Sequence, residues 1–222
     1  MLDAVLFDLD GTLADTAPDL CGTLNILLVE EGRPQQAFSK LRPHTSSGVR
    51  GLLGAGFAIE PTHHDYERLA ARFLDIYSAR LCEQSTLFEG IPALLDTLEA
   101  HGMAWGIVTN KRARFTDPLV AALGLSPRTA CVVSGDTTAE AKPSPLPILH
   151  ACKLLGCAPR RTLYVGDDRR DIAAGRAAGT LTAAVSYGYL GTNGPPQTWG
   201  ADFLADHPAD LAAFLLTPGG PR

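Results

Sequence analysis

Two aspartates separated by one residue follow an apolar run near the start of the chain. The run is Ala4–Phe7, and Asp8, Asp10 and Gly11 come next. Four consecutive strand-forming residues without a polar partner are typical of a strand that is buried on both faces. Two carboxylates at its end repel each other and lose hydration, which favours a positive charge beside them. A divalent cation is the simplest candidate, so the pattern predicts metal-assisted chemistry at a sheet edge.

Three later strand ends carry groups that suit phosphate chemistry. Thr109 and Asn110 offer hydroxyl, amide and backbone N–H donors for phosphate oxygens. Lys142 follows the next predicted strand and could neutralise a phosphoryl group, and Asp167 and Asp168 end a further strand. Because parallel strands have their carboxyl ends on one edge, we expect these side chains to converge with the first two aspartates. An acid-rich set with few histidines favours Mg²⁺ together with a substrate phosphate.

The elements that must position these residues alternate regularly from Gly90 onward. Alternating helices and strands predict an α/β fold, with a parallel sheet and helices on its faces. The strands are predicted at residues 104–109, 130–134, 162–165, 181–185 and 201–204, and the helices at residues 92–100, 116–123, 146–155, 172–178 and 208–216. A long loop is predicted at residues 187–200, and the periodicity does not indicate its purpose.

The segment between the first two motifs has a different pattern. Leucines at helical spacing follow the aspartate pair, and no convincing buried strand occurs from Phe38 to Cys82. The chain is therefore predicted to have an all-helical cap at residues 16–87, inserted into an α/β core made of residues 1–15 and 88–222.

The composition limits the possible partners and the compartment. A net charge of -5 and a pI near 5.6 provide no basic surface for nucleic acid or anionic lipid. The five cysteines are odd in number and scattered, which favours reduced thiols in a cytoplasmic protein. We expect neither secretion nor membrane insertion, because no basic segment precedes a long apolar run and no uninterrupted apolar stretch is long enough for a membrane span. We expect a small phosphorylated metabolite as the partner, no nucleic acid or membrane, and a monomer or homodimer.

The motifs resemble those of a known family. Residues 8–15, Thr109-Asn110, Lys142-Pro143 and residues 166–171 resemble, in that order, the four motifs of the haloacid dehalogenase superfamily. The resemblance covers essentially the whole chain, including a helical cap between the first two motifs, and is closest to the phosphoglycolate phosphatase group. It implies a Rossmann-like core, an aspartyl-phosphate intermediate and Mg²⁺ dependence.

The resemblance also implies roles for the motif residues. Asp8 would be the nucleophile and a metal ligand, and Asp10 would be the general acid and base, with its backbone carbonyl on the metal. Thr109 and Lys142 would hold the phosphoryl oxygens. Asp167 would be the third protein ligand of the metal.

Other positions have a plain structural explanation beside the functional one. Asp168 and Asp171 are expected to support Asp167 without binding the metal themselves. An acid such as Asp171 equally suits the first turn of a helix, where it interacts favourably with the helix dipole. Ser47, Gly48 and Arg50 fall where cap loops of the family meet the substrate. Arg50 could bind a carboxylate, or could be an ordinary surface charge.

These observations predict a Mg²⁺-dependent phosphomonoesterase for a small carboxylated metabolite, with phosphoglycolate phosphatase as the first candidate. The segments 105–111, 187–189 and 199–202 also resemble a branch that acts on N-acetylmuramic acid 6-phosphate. Both substrates carry a carboxylate, so Arg50 does not distinguish them. A phosphosugar mutase and a non-catalytic phosphate-binding protein remain as alternatives. A dehalogenase is disfavoured, because it needs neither the acid at Asp10 nor the metal ligand at Asp167.

Overall fold

A parallel sheet forms the centre of the molecule. The computed structural model describes residues 2–191 and 194–217. The strands are β1 (Ala4–Phe7), β2 (Ala14–Asp15), β3 (Thr86–Leu87), β4 (Ala104–Val108), β5 (Val132–Val133), β6 (Thr162–Gly166), β7 (Leu181–Val185) and β8 (Phe203–Ala205). Six of them pair in the order β5-β4-β1-β6-β7-β8, and every pair is parallel. The predicted parallel sheet is therefore confirmed.

The helices are α1 (Ala17–Glu30), α2 (Phe38–Leu41), α3 (Gly48–Phe57), α4 (Tyr66–Ala79), α5 (Ile91–Ala100), α6 (Ala113–Ala122), α7 (Leu146–Leu155), α8 (Arg169–Ala178) and α9 (Pro208–Leu216). Short 3-10 helices lie at Arg42–Ser47, Pro159–Arg161 and Pro196–Thr198. The bounds of α7, α9 and β7 agree with the prediction. The strand expected at residues 130–134 is shorter, and α8 begins three residues earlier than predicted because Asp168 caps it.

The two faces of the sheet are covered by different helices. Successive side chains of a strand point to opposite faces. Val5 and Phe7 of β1 pack in one apolar cluster with residues of α5, α6 and α9. Leu6, between them, packs in a second cluster with Ile148 of α7 and Ala174 of α8. This alternation confirms the α/β architecture with helices on both faces.

The chain between β1 and β4 forms its own apolar cluster. Leu24, Leu53 and Phe73 from α1, α3 and α4 are buried together, and Phe115 of α6 joins them. Within the described residues, α1 to α4 carry no strand between them, as predicted. The chain enters this helical segment after β2 and leaves it at β3, and these two strands form an antiparallel pair. The pair was not predicted, because a strand of two residues is too short to show a period. That residues 16–87 act as a separate cap stays a prediction.

Parts of the predicted elements lie outside the described residues. These are the first residue, residues 192–193 of the predicted loop and residues 218–222 at the end of the predicted core. In the described ranges, no helix combines the length and the apolar character that a membrane crossing requires.

The buried carboxylate of Asp19 links the start of the helical segment to the residues at its end. It accepts hydrogen bonds from the backbone N–H groups of Gln84 and Ser85 and from the Ser85 hydroxyl, at 2.6–3.1 Å. In Asp19→Ala these donors lose their acceptor, and we expect a loss of about 3 kcal/mol in the free energy of unfolding, measured with urea. Asp96→Ala, at an exposed carboxylate paired with Arg128, is the matched control and should cost less than about 0.5 kcal/mol. Equal losses in both variants would contradict the role of Asp19.

Candidate active site

The carboxyl edge of the sheet borders a cavity of about 730 Å³. Because β1 pairs with both β4 and β6, the residues after these strands are neighbours. All the predicted residues of the core motifs line the cavity, namely Asp8, Asp10, Thr109, Asn110, Lys142, Asp167, Asp168 and Asp171. Residues of α4 and of the turn before α3 form the opposite wall. The sequence therefore identified the residues of this edge, and the topology brings them together.

The ammonium group of Lys142 lies at the centre of the hydrogen-bond network. Its Nζ is 2.7 Å from Asp8 Oδ1 and from Asp171 Oδ1, 2.8 Å from the Tyr164 hydroxyl and 2.9 Å from the Val108 carbonyl. Burial disfavours the ammonium charge, but Asp171 and Asp8 together raise the pKa of Lys142 well above its usual value. Lys142 is therefore charged and orients the carboxylate of Asp8.

Three buried carboxylates surround one position at this edge. Oxygen atoms of Asp8, Asp167 and Asp171 lie within 4.8 Å of one another. Burial raises the pKa of Asp8 to about 7, and Asp171 adds to that effect while Lys142 opposes it. Burial, followed by Asp8 and Asp171, also raises the pKa of Asp167 well above its usual range. A buried cluster of oxygen ligands with uncompensated charge fits a hard divalent cation.

The carboxylate of Asp167 is held by residues that sequence reasoning did not single out for this role. The Thr12 hydroxyl donates to Oδ1 at 3.2 Å, and the backbone N–H of Tyr189 donates to Oδ2 at 2.7 Å. Gly11, with a φ of 88°, and Gly188 lie against this carboxyl group so closely that a Cβ atom at either position would collide with Asp167. The purpose of the predicted loop is thus partly structural, because it supplies the support for Asp167.

Asp10 has a separate environment, although only one residue separates it from Asp8. Its Oδ1 accepts hydrogen bonds from Lys111 Nζ at 2.9 Å and from the Thr16 hydroxyl at 2.6 Å. Burial opposes the charge on Lys111, but Asp10 and Tyr77 raise the pKa of this lysine overall. The carboxylate of Asp10 therefore has its own cation, and the metal contact through its backbone carbonyl stays a prediction. Lys111 was missed, although it directly follows Thr109-Asn110.

Asn110 and Asp171 support Lys142. The side-chain amide of Asn110 donates to the Lys142 carbonyl and accepts from the Lys142 backbone N–H, each at 2.9 Å. This pairing uses the amide that was expected to reach a phosphate. Asp171 binds the Lys142 ammonium through Oδ1 and the backbone N–H of Asp168 through Oδ2. Both oxygens of Asp171 are therefore engaged, which favours a supporting role over direct metal contact.

Asp168 faces the helical segment. Its carboxylate caps α8 through the backbone N–H of Arg170, pairs with the Arg170 guanidinium, and accepts from the Ser46 hydroxyl. Burial raises the pKa of Asp168, but Arg170 and Ser46 outweigh that effect and lower it. The support that Asp168 and Asp171 were expected to give Asp167 comes instead from Thr12 and Tyr189.

The three residues predicted at the cap wall have different positions. Ser47 and Gly48 line the cavity. Arg50 is not among the lining residues; its side chain is 67% exposed and forms an ion pair with Glu60 at 3.0 Å. The structure therefore does not bring Arg50 to the site. Two arginines that the sequence reasoning did not consider, Arg112 and Arg114, do line the cavity.

Comparison with known proteins identifies the family of this chain. Residues 5–185 match the model of the haloacid dehalogenase-like hydrolases. The chain belongs to this family. It is 44% identical over 214 residues to an N-acetylmuramic acid 6-phosphate phosphatase of Pseudomonas putida, with 96% of each chain covered. It is also 44% identical over 211 residues to a phosphoglycolate phosphatase of Xanthomonas campestris, with 94% of each chain covered.

Solved structures agree with the fold. The crystal structure of a predicted phosphoglycolate phosphatase from Haemophilus somnus superposes with a TM-score of 0.83 at 28% identity, covering 95% of this chain and 96% of that one. These similarities confirm the haloacid dehalogenase-like fold and the assignment as a phosphatase.

The acid cluster predicts a pH-dependent response to metal. Because the folded pKa of Asp8 lies above its usual value of 3.8, the metal-free protein should lose stability as the pH rises from about 4 through about 7. A bound cation offsets this charge, so Mg²⁺ should raise the Tm more at about pH 8 than at about pH 5.5. At 100 times the Kd we expect about 2.7 kcal/mol, or about 5–10 °C, measured by calorimetry.

The matched variants for this experiment are Asp167→Asn and Asp3→Asn. The first removes a carboxylate of the cluster and should abolish the Mg²⁺ shift, whereas the second, at an exposed carboxylate paired with Arg161, should retain it. A shift of equal size in both variants would show that Mg²⁺ binds elsewhere.

The hydroxyl of Tyr189 predicts a stability effect at the start of α1. It accepts the backbone N–H groups of Thr16 and Ala17 at 2.6 and 2.9 Å, and contacts Asp15 Oδ1 at 3.1 Å. Tyr189→Phe leaves the Thr16 N–H without this acceptor and the Ala17 N–H with only Asp15 Oδ1 at 3.3 Å, and we expect a loss of about 2 kcal/mol in urea unfolding. Tyr187→Phe removes a single bond to the Thr12 carbonyl and should cost about 1 kcal/mol. Equal losses of stability in the two variants would contradict this role of the Tyr189 hydroxyl.

Proposed function

We propose that this protein is a Mg²⁺-dependent phosphomonoester hydrolase that forms an aspartyl-phosphate intermediate on Asp8. The observation that carries the proposal is the contact of Asp8 with Lys142 beside two further buried carboxylates, in a cavity on the carboxyl edge of the sheet. Mg²⁺ bound by Asp8, Asp167 and the backbone carbonyl of Asp10 would supply positive charge for the phosphoryl oxygens. Residues 16–87 would act as the cap that covers this site.

The residues of the chain have separate tasks in this proposal. The Asp8 carboxylate attacks phosphorus, and Lys142 and Thr109 hold oxygens of the transferring group. Asp10 protonates the leaving alkoxide and then takes a proton from the water that hydrolyses the intermediate. Its carboxylate is held by Lys111, whereas Lys142 holds the nucleophile.

The first substrate candidate is N-acetylmuramic acid 6-phosphate. A cavity of about 730 Å³ lies within the range of about 300–1,000 Å³ that pockets for drug-sized molecules occupy. An N-acetylated sugar with a lactyl group fills such a space better than a two-carbon ester. A relative with this name matches 96% of the chain. This order reverses the expectation from the sequence, which put phosphoglycolate first.

Phosphoglycolate is the second candidate, because relatives with that activity in their names are as similar in sequence. A phosphosugar mutase and a non-catalytic phosphate-binding protein belong to other classes of function. A mutase would transfer the phosphoryl group within or between sugars, and a binding protein would leave the ester intact. Release of inorganic phosphate to water distinguishes hydrolysis from both.

The test is phosphate release by the purified protein with Mg²⁺ and each of the two esters. We expect kcat/KM for N-acetylmuramic acid 6-phosphate to exceed that for 2-phosphoglycolate by about 100-fold, which corresponds to about 2.7 kcal/mol in transition-state binding. The opposite order would favour phosphoglycolate. Slow turnover of both would retain the mechanism and exclude both substrates.

Asp8→Asn and Asp3→Asn are the matched variants for this assay. Asp8→Asn removes the nucleophile and should reduce kcat by at least about 10⁴-fold, whereas Asp3→Asn, at an exposed carboxylate, should retain full activity. Activity that survives Asp8→Asn would contradict the nucleophile assignment.

A further inference from the structure

The cationic side chains that line the cavity fall into two groups. Lys111, Lys142 and Arg170 form ion pairs with Asp10, with Asp8 and Asp171, and with Asp168, respectively. Arg112 and Arg114 line the same cavity and have no ion-pair partner among the residues that the structure describes. The cavity lining thus includes two arginines that form no ion pair within the described part of the chain.

The position of these arginines relates them to the reacting group. They follow Thr109 by three and five residues, so one continuous stretch of the cavity lining contains the proposed phosphoryl-binding threonine and both arginines. Arg112 directly precedes α6, and the Arg114 guanidinium lies 4.5 Å from the centre of the Phe115 ring. Phe115 is itself buried between α6 and the helical segment. Stacking on a buried ring leaves the N–H groups at the rim of the guanidinium available to a ligand.

The chemistry of a guanidinium group indicates what such a ligand carries. Its fork of N–H donors matches the two oxygens of a carboxylate or of a phosphate. The phosphoryl group already has Lys142 and the proposed metal position beside Asp8. A second anionic group on the substrate is therefore the natural partner for Arg112 and Arg114.

We infer that Arg112 and Arg114 form a subsite for the carboxylate of the substrate, so that the enzyme selects phosphomonoesters carrying a carboxylate. This inference rests on the proposed function and deepens it. It also assigns to these residues the role expected of Arg50, whose guanidinium is exposed and paired with Glu60 outside the cavity.

The kinetic test uses pairs of esters that differ by the carboxylate. N-acetylmuramic acid 6-phosphate is compared with N-acetylglucosamine 6-phosphate, which lacks the lactyl group, and 2-phosphoglycolate is compared with ethyl phosphate. In Arg112→Gln and Arg114→Gln we expect kcat/KM for the carboxylated ester of the active pair to fall about 10- to 100-fold. The value for its carboxylate-free partner should change less than about 3-fold.

Arg160→Gln is the matched control, because Arg160 is exposed beside the amino end of β6, away from the cavity. It should retain the wild-type ratio between the two esters. Equal losses on both esters in the Arg112 and Arg114 variants would overturn the subsite, since the arginines would then serve the phosphate or the position of the helical segment.

A binding measurement separates this inference from the proposed function. Calorimetry with Asp8→Asn and Mg²⁺ should show the carboxylated ester binding at least about 10-fold more tightly than its carboxylate-free partner, with the difference lost in Asp8→Asn/Arg114→Gln. If the wild-type protein hydrolyses none of the esters, the proposed function fails, while this comparison still decides the subsite. Equal affinity for both esters of each pair, or no detectable binding of any, would overturn it.

Discussion

The structure depends on how negative charge is held at the carboxyl edge of the sheet. Asp8, Asp167 and Asp171 meet in a buried position, and Lys142 contacts two of them. Burying like charges is costly unless each has a hydrogen bond or an opposite charge. The surrounding residues meet that condition, and the glycine at position 11 provides the room that Asp167 needs. The result is a site whose remaining charge suits a divalent cation.

Two lysines give the two neighbouring aspartates different environments. Lys142 holds Asp8, and Lys111 holds Asp10 together with the Thr16 hydroxyl. The two carboxylates therefore contact different cations, although only one residue separates them. This arrangement suits the proposed division into a nucleophile and an acid-base group, because each carboxylate is held by different donors.

The helical segment completes the site through a few polar contacts. Ser46 reaches the Asp168 carboxylate, and Arg42 donates to the Gly188 carbonyl beside Asp167. The Tyr189 hydroxyl binds the first backbone N–H groups of α1, while its own N–H holds Asp167. Any displacement of this segment therefore acts on the same residues that orient the carboxylates, which links its position to the electrostatics of the site.

The sequence by itself determined the acids and the threonine of the site, which follow strand ends, and the lysine, through the resemblance of Lys142-Pro143 to a family motif. An apolar run that changes abruptly to Asp8 or Asp167 is a local signal, and parallel pairing brings such strand ends to one edge. Only the tertiary structure decided their partners. Tyr189 meets Asp167 across 22 residues, and Arg50 lies outside the cavity. The reason is physical: periodicity specifies the face or edge on which a residue lies, whereas the partner of a buried charge depends on packing between segments that are distant in the chain.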